Sequence, residues 1–360
     1  MRHKHQESQA ERPMSQSVSI RNDLGKSLGP FLRKEKIVGR KTKDVLISVV
    51  CQLVHHKEEG QQLFPEILLF DDLTSILKSL PNSEHVVVGV GPMVPESLTL
   101  ALKRCAPLAQ WGWSIYLTRM REEEKVEYGL LRCGLTALSL SASELLFHEG
   151  HGALPAILIS HVSQSTIQVS GAHGNSLRIH FGAVEEPRDD PVKVIKRFCA
   201  SVVRGVPIEV REPVSNFYSR LLSAVLRSGH GCLVAVLSRK KAGVSQLLKD
   251  GVVINPALDV ASKVSSLLRY KSCEYDTTLR AAAALIRGML ISDGITVFGP
   301  DGSVRVYNVF VKIPKRLDAI AGKPGGARRR AFEFLCSRVG RELKGSLIIS
   351  QDGHADFRGV

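Results

Sequence analysis

The chain is expected to fold as an α/β protein in two domains. Two observations carry that expectation. At 360 residues it is longer than one usual domain of about 100–200 residues. Short apolar runs such as Ile67–Phe70, Cys232–Leu237 and Ile295–Phe298 alternate with longer segments of helical period, the pattern of strands and helices in turn. Hydrophobic residues make up 44% of the chain and charged residues 23%, the balance of a globular protein with a core.

Taken in order, residues 1–40 read as a disordered basic tail, rich in Ser, Gln, Arg, Lys and Glu and without a sustained apolar period. Order is expected from about Lys43, with Val45–Val50 compatible with helix or strand. Residues 41–205 make the first domain. Ile67–Phe70 is a strand and Asp71-Asp72-Leu73-Thr74 a helix start. Val86–Gly91 is a strand ending in glycines, Pro95–Cys105 a helix, and Trp113–Leu117 a further strand. A charged segment (119–128) and a Leu-rich one (129–146) follow. Ala156–Ser160 and Thr166–Ser170 are β-rich, and Gly171–Ser176 turns into a strand at 177–181. Asp189-Asp190-Pro191 then starts a connecting helix over 190–204, because a capping carboxylate precedes a proline at the first helical position.

The second domain, 210–360, opens near Glu212-Pro213. Phe217, Tyr218, Leu221, Leu222 and Val225 form a helical stripe, ended by Gly229-His230-Gly231. Strands are expected at 232–237, 252–256, 295–298, 304–311 and 346–350, with a last one at 355–358. Helices are expected at 258–270, 279–290 and 331–339, and 299–303 is a hairpin turn.

Charge and composition narrow the function classes. The net charge of +14 calls for an anionic partner to be considered, but residues 1–43 hold 11 Lys/Arg against 4 Asp/Glu, half of that excess. No interleaving of aromatic and basic residues accompanies it, so nucleic acid is disfavoured as a partner. No run approaches the roughly 18 apolar residues of a membrane span. The start of the chain lacks the apolar core of a secretory signal, which leads to an expected cytoplasmic location. The seven cysteines are scattered, with no C-x-x-C pair, and read as reduced core thiols. His55-His56 and His148-Glu149-Gly150-His151 lack the ligand number and spacing of a metal site. Gly89-Val90-Gly91 is too short for a phosphate loop, and Trp111 and Trp113 read as core or interface aromatics.

The chemistry gathers between Ser292 and Val360. Ser292-Asp293-Gly294 sits between a helical run and an apolar strand, Gly325-Gly326-Ala327-Arg328-Arg329-Arg330 leads into a helix, and Leu347-Ile348-Ile349-Ser350-Gln351 ends an apolar strand in polar residues. A carboxylate on a glycine turn and three arginines at a helix start suit a metal-bound polyphosphate.

These motifs and their order resemble the diadenylate cyclase (DAC) domain of bacteria. That family carries Asp-Gly-Ala, then Gly-Thr-Arg-His-Arg, then a strand ending in Ser with Gln or Glu. The matching stretches are Asp293-Gly294-Ile295, Gly326-Ala327-Arg328-Arg329-Arg330 and Ile349-Ser350-Gln351, and the likeness extends over 210–360. It implies a mixed β-sheet flanked by helices and the joining of two ATP molecules into cyclic di-AMP. Asp293 would hold Mg²⁺ or Mn²⁺ or orient the attacking hydroxyl, with Gly294 leaving room for the nucleotide beside it. Arg328, Arg329 and Arg330 would bind phosphate, with Gly325 and Gly326 freeing helix N–H groups and Ser350 adding a hydroxyl. Because one DAC domain holds one ATP, the resemblance also implies a homodimer or higher oligomer. The first domain is weakly similar to sensor-like (DACNV-type) domains found ahead of such cyclases.

The chain departs from the family at three positions: Ile295 replaces Ala, Ala327 replaces Thr and Arg329 replaces His. These departures raise an alternative, a degenerate domain that binds ATP or a related nucleotide without turnover.

Overall fold

The apolar residues alternate along the central strands, and that alternation decides what covers each face of each sheet. The computed structural model describes residues 20–110, 112–122, 124–134, 136–147, 154–182, 189–238, 248, 250–313 and 326–360. Residues 1–19, Trp111, His148 to His151 and Gly325 therefore lie outside the described residues. The chain is mixed α/β, with ten helices among the described residues and two large mixed sheets.

The first sheet has seven strands: β3 (Ile67–Phe70), β4 (Glu84–Pro92), β5 (Ser114–Met120), β6 (Lys125–Arg132), β7 (Ala156–Ser163), β8 (Thr166–Gly171) and β9 (Ser176–His180), in the order β4-β6-β5-β3-β7-β8-β9. A two-stranded hairpin, β1 (Lys57–Glu58) with β2 (Gln61–Gln62), stands apart. Ile67 and Leu69 of β3 enter one core with helices α1 (Ile20–Lys34), α2 (Arg40–Leu53) and α4 (Pro95–Cys105). Leu68 and Phe70 enter another, which α3 (Leu73–Ser79) and α5 (Ala142–Leu146) cover. Asp72 caps α3 by accepting a hydrogen bond from the Ser75 backbone N–H at 2.9 Å. The charged segment at 119–128 contains the start of β6, which the sequence reading did not mark as a strand.

The tail expected over residues 1–40 is corrected from Ile20 onward. In α1, Leu24, Leu28, Phe31 and Leu32 recur at helical spacing and are buried with α2. Glu35 follows, fully buried, and its carboxylate accepts from the backbone N–H groups of His173 (2.8 Å) and Asn175 (3.3 Å) and from Asn175 Nδ2 (2.6 Å). Such a carboxylate ties α1 to the β8–β9 turn, since a buried charge must be hydrogen-bonded. The Arg119 guanidinium gives both oxygens of Asp71 a donor (2.6 and 2.8 Å) and also reaches the Val38 carbonyl and the Thr42 hydroxyl. These bonds fix the link between α1 and α2.

The second sheet has six strands: β10 (Cys232–Leu237), β11 (Val252–Leu258), β12 (Ile295–Phe298), β13 (Val304–Val309), β14 (Leu343–Ile349) and β15 (Ala355–Gly359), ordered β11-β13-β12-β10-β14-β15. Cys232, Val234 and Val236 of β10 face a core shared with α6 (Pro191–Val202), α7 (Ile208–Ser228), α8 (Val260–Tyr270) and α9 (Cys273–Ile291). Leu233, Ala235 and Leu237 face α10 (Ala327–Cys336).

Two boundaries shift. Helix α7 starts at Ile208 and runs through Pro213 rather than opening beyond it. Helix α6, expected as a connector, buries Val194, Ile195, Phe198, Cys199 and Val202 in the core of the second sheet, where Phe198 meets Phe298 and Phe357 edge to face. Its apolar stripe therefore places it against the second sheet. No described helix is long and apolar enough to cross a membrane.

All seven cysteines are unpaired. Burial pushes the thiols of Cys105 and Cys133 up to about 11 and those of Cys199, Cys232 and Cys336 up to about 12, and raises Cys51. Only Cys273 is exposed. Since the thiolate is the nucleophile, a disulfide reagent at pH 8 is expected to titrate one thiol quickly in the native protein and all seven after denaturation. More than two fast native thiols would contradict this burial.

Candidate functional site

The topology brings the expected residues to one end of the second sheet. Strands β10 and β12 are parallel, while β13 and β14 run antiparallel to them. The beginnings of β10 and β12 and the ends of β13 and β14 therefore share one edge, in the register Leu233↔Ile295↔Val309 and Cys232↔Ile349. Asp293 precedes β12, Ser350 follows β14, and His230-Gly231 precedes β10.

Helix α9 ends where the Ser292 and Thr296 hydroxyls both donate to the Met289 carbonyl, at 2.7 and 3.0 Å. The chain then turns at Gly294, whose φ of 90° favours glycine. A Cβ there would lie 2.9 Å from the Asn308 carbonyl carbon and the Val309 oxygen. The glycine is thus required by its approach to the backbone of β13. Asn308 Nδ2 donates to the Asp293 carbonyl at 3.0 Å, which steadies the turn and leaves the Asp293 side chain exposed.

Asp293, Gly294, Ile295, Ala327, Arg328 and Arg330 line a single cavity of about 380 Å³, with Leu233, Val309, Phe310, Val311, Ile313 and Ala331 completing its apolar wall. The Ile295 side chain is 2% exposed and packs in the core under α10, so its added bulk is largely absorbed below the cavity. Gly326 is the N-cap of α10, makes no side-chain cap hydrogen bond and has open space around it. Backbone N–H groups at such a helix start favour an anion.

The arginines divide. Arg328 lines the cavity and donates from Nη1 to the His230 carbonyl at 3.1 Å. Arg330 lines it and is exposed. Arg329 turns elsewhere: it pairs with Asp356 (3.0 Å) and Glu333 (2.7 Å) and lies over the Phe332 ring. Its expected role on phosphate is therefore replaced by a tie between α10 and β15. Ser350 does not line the cavity; its Oγ accepts from the His354 N–H at 3.1 Å and closes the turn before β15. Cys232 lies under this edge, where burial raises its thiol to about 12 and the Arg328 charge acts in the opposite direction.

Sequence reasoning missed Phe310, 57% exposed on the cavity wall, and Asn308, which holds the turn. The alternation of β13 carried no signal of the exposed ring: Val304 and Val306 share their parity with position 310, and the register shift that buries Val309 is what leaves Phe310 outside.

Among the described residues no group of three or more His, Cys, Asp or Glu side chains is placed to hold a metal ion. Asp293 is the one carboxylate among the described residues lining the cavity. A single carboxylate suits Mg²⁺ or Mn²⁺ carried in on phosphate oxygens, because Mg²⁺ is usually held by one or two carboxylates, substrate phosphates and waters. No family model, no curated protein and no solved structure matches the chain.

Proposed function

We propose that the chain is a diadenylate cyclase, joining two ATP molecules into cyclic di-AMP, with its first domain in a regulatory, sensor-like role. The observation that supports this most is the meeting of Asp293, Arg328 and Arg330 in one cavity beside the uncapped start of α10. Arg328 and Arg330 supply forked, charge-assisted donors to a triphosphate, and the exposed Phe310 ring offers a flat apolar face to a base. Asp293 positions the 3′-hydroxyl of one nucleotide against the α-phosphate of the other. A new 3′-O–P bond forms, the bond from the α-phosphorus to the bridging oxygen breaks, and pyrophosphate leaves while the hydroxyl proton passes toward the Asp293 carboxylate. Asp293 would hold a divalent ion, which would supply charge neutralisation.

One cavity accommodates one nucleotide, so cyclisation requires two chains face to face, and the active unit is a homodimer or larger. The reading is tested by incubating purified protein with ATP and Mn²⁺ and resolving the product by chromatography, with single-turnover rates followed on dilution to monomer. Cyclic di-AMP whose rate per chain falls on dilution is expected. If no product forms yet ATP still raises the melting temperature, the chain binds nucleotide without turnover, the alternative raised by its departures from the family.

The three arginines give a sharper comparison. Arg328→Gln and Arg330→Gln are each expected to weaken ATP binding by about tenfold or more, the loss of one charge-assisted contact at about 1.4 kcal/mol per decade. Arg329→Gln is expected to change binding less than threefold and to act on stability through Asp356. Titrations with ATP decide it, and equal losses at all three positions would contradict the division of roles.

A further inference from the structure

A second cavity, of about 570 Å³, lies between the first sheet and α7, remote in the fold from Asp293. Its size is that of a small-molecule site. One wall is a stripe of α7: Ser219, Arg220, Ser223 and Arg227 recur every three or four residues and line the cleft, while Phe217, Tyr218, Leu221, Leu222 and Val225 are buried in the core of the second sheet. The facing wall comes from the first half, with Glu66, Ser114, Arg132 and Ser141.

The charges of the cleft are unevenly satisfied. Arg132, Arg220, Arg227 and Arg280 line it, against the carboxylates of Glu66 and Glu144. Both carboxylates are already engaged: Glu144 accepts from Arg220 Nε (2.8 Å) and the Ser141 N–H (2.8 Å), and Glu66 accepts from the Ser143 hydroxyl (2.5 Å). Arg132 is taken by Glu84, and Arg280 by Asp276. Among the described residues the buried Nη2 of Arg220 nonetheless has no acceptor, and the half-buried Arg227 lines the same wall. Burial lowers the Arg227 pKa, with Arg287 adding to that and Glu66 opposing it. A guanidinium stays charged in a protein, and a buried donor without an acceptor calls for a partner.

We propose that this cleft is a second binding site, for a small polar molecule carrying an oxyanion (a phosphate or a carboxylate), held by Arg220 and Arg227 and by the Ser219 and Ser223 hydroxyls. The proposal is independent of the chemistry at Asp293. Its occupant would bridge the two halves, because the loop forming the facing wall is pinned to the second: the Ala137 N–H donates to Asp276 at 2.5 Å, and the Ala137 carbonyl accepts from Arg220 at 3.3 Å. It would also sit on the helix that ends at Gly229, one residue before the carbonyl that holds Arg328.

The test is thermal unfolding of the full chain in chloride buffer, with inorganic phosphate or citrate added at matched ionic strength. Binding to the folded state alone raises stability with the logarithm of ligand concentration, so at ten times the dissociation constant the midpoint is expected to rise by about 2 °C. Both anions also stabilise proteins by exclusion from their surface, which a cleft variant separates from binding. Ser223→Asp adds a negative charge beside Arg220 and Arg227 and removes no side-chain hydrogen bond among the described residues. It is expected to melt like the parent in chloride and to lose more than half of the rise. Arg227→Gln, measured alongside, is expected to show the same loss. A response to phosphate and not citrate assigns a phosphate ester, and the reverse assigns a carboxylate. If neither anion raises the midpoint, or if both variants keep more than half of the rise, the cleft is not an oxyanion site.

Discussion

On the proposed cyclase reading, an Asp293→Asn variant is expected to lose cyclic di-AMP formation by about three orders of magnitude, several kcal/mol of barrier at about 1.4 kcal/mol per decade, while melting as the parent does. The expectation follows from what the side chain touches. Asp293 is exposed, its turn is held through its backbone carbonyl by Asn308, and among the described residues its carboxylate makes no hydrogen bond. The amide keeps the size and loses the charge needed to orient a hydroxyl or share a divalent ion. Chromatographic product analysis, paired with a melting curve, reads both halves of the claim. Retained turnover removes Asp293 from the mechanism.

Gly294→Ala is expected to behave differently, although it is the next residue. A Cβ at φ 90° would stand 2.9 Å from the backbone of Asn308 and Val309, so the substitution combines backbone strain with a collision against a central strand. A loss on the order of 2–4 kcal/mol of stability is expected, from strain and overpacking together. Urea denaturation measures it, and a midpoint equal to the parent's would show that β13 yields more easily than this packing implies. The pair separates two kinds of dependence: one residue serves through its charge, the other through the space it leaves.

Much of this architecture was legible residue by residue. Cys232–Leu237 and Ile295–Phe298 were readable as strands because each is a short apolar run between turn residues, and Pro95–Cys105 was readable from its proline start and helical spacing. Helix α1 was overlooked because Lys, Arg and Ser surround Leu24, Leu28, Phe31 and Leu32, although those four hold a helical period by themselves. Strand β6 was hidden because Lys125 and Glu127 alternate with Val126 and Tyr128, so the charges mark only its outer face. The division among the arginines was not legible in this way. On a helix, consecutive side chains diverge by about 100°, so three successive arginines point in three directions, but that step does not pick out Arg328 and Arg330 as the two that line the cavity. The cleft beside α7 had no sequence signal either, since Ser114, Arg132, Arg220 and Arg227 are brought together by the docking of α7 against β7.

Helix α6 also fixes the order in which the protein can be completed during synthesis. Phe198 packs on Phe357 of β15, and Arg204 donates to the Val360 carbonyl at 2.7 Å, a contact between residues 156 apart in the chain. The first sheet needs nothing beyond β9 to pair all its strands. It can therefore form on the ribosome while α6 and α7, already made, still wait for their partners. Closing so long a loop is slow because its entropy is lost before the contacts form. During that interval α6 can pack on α7 but lacks the cover of β15, which is made later.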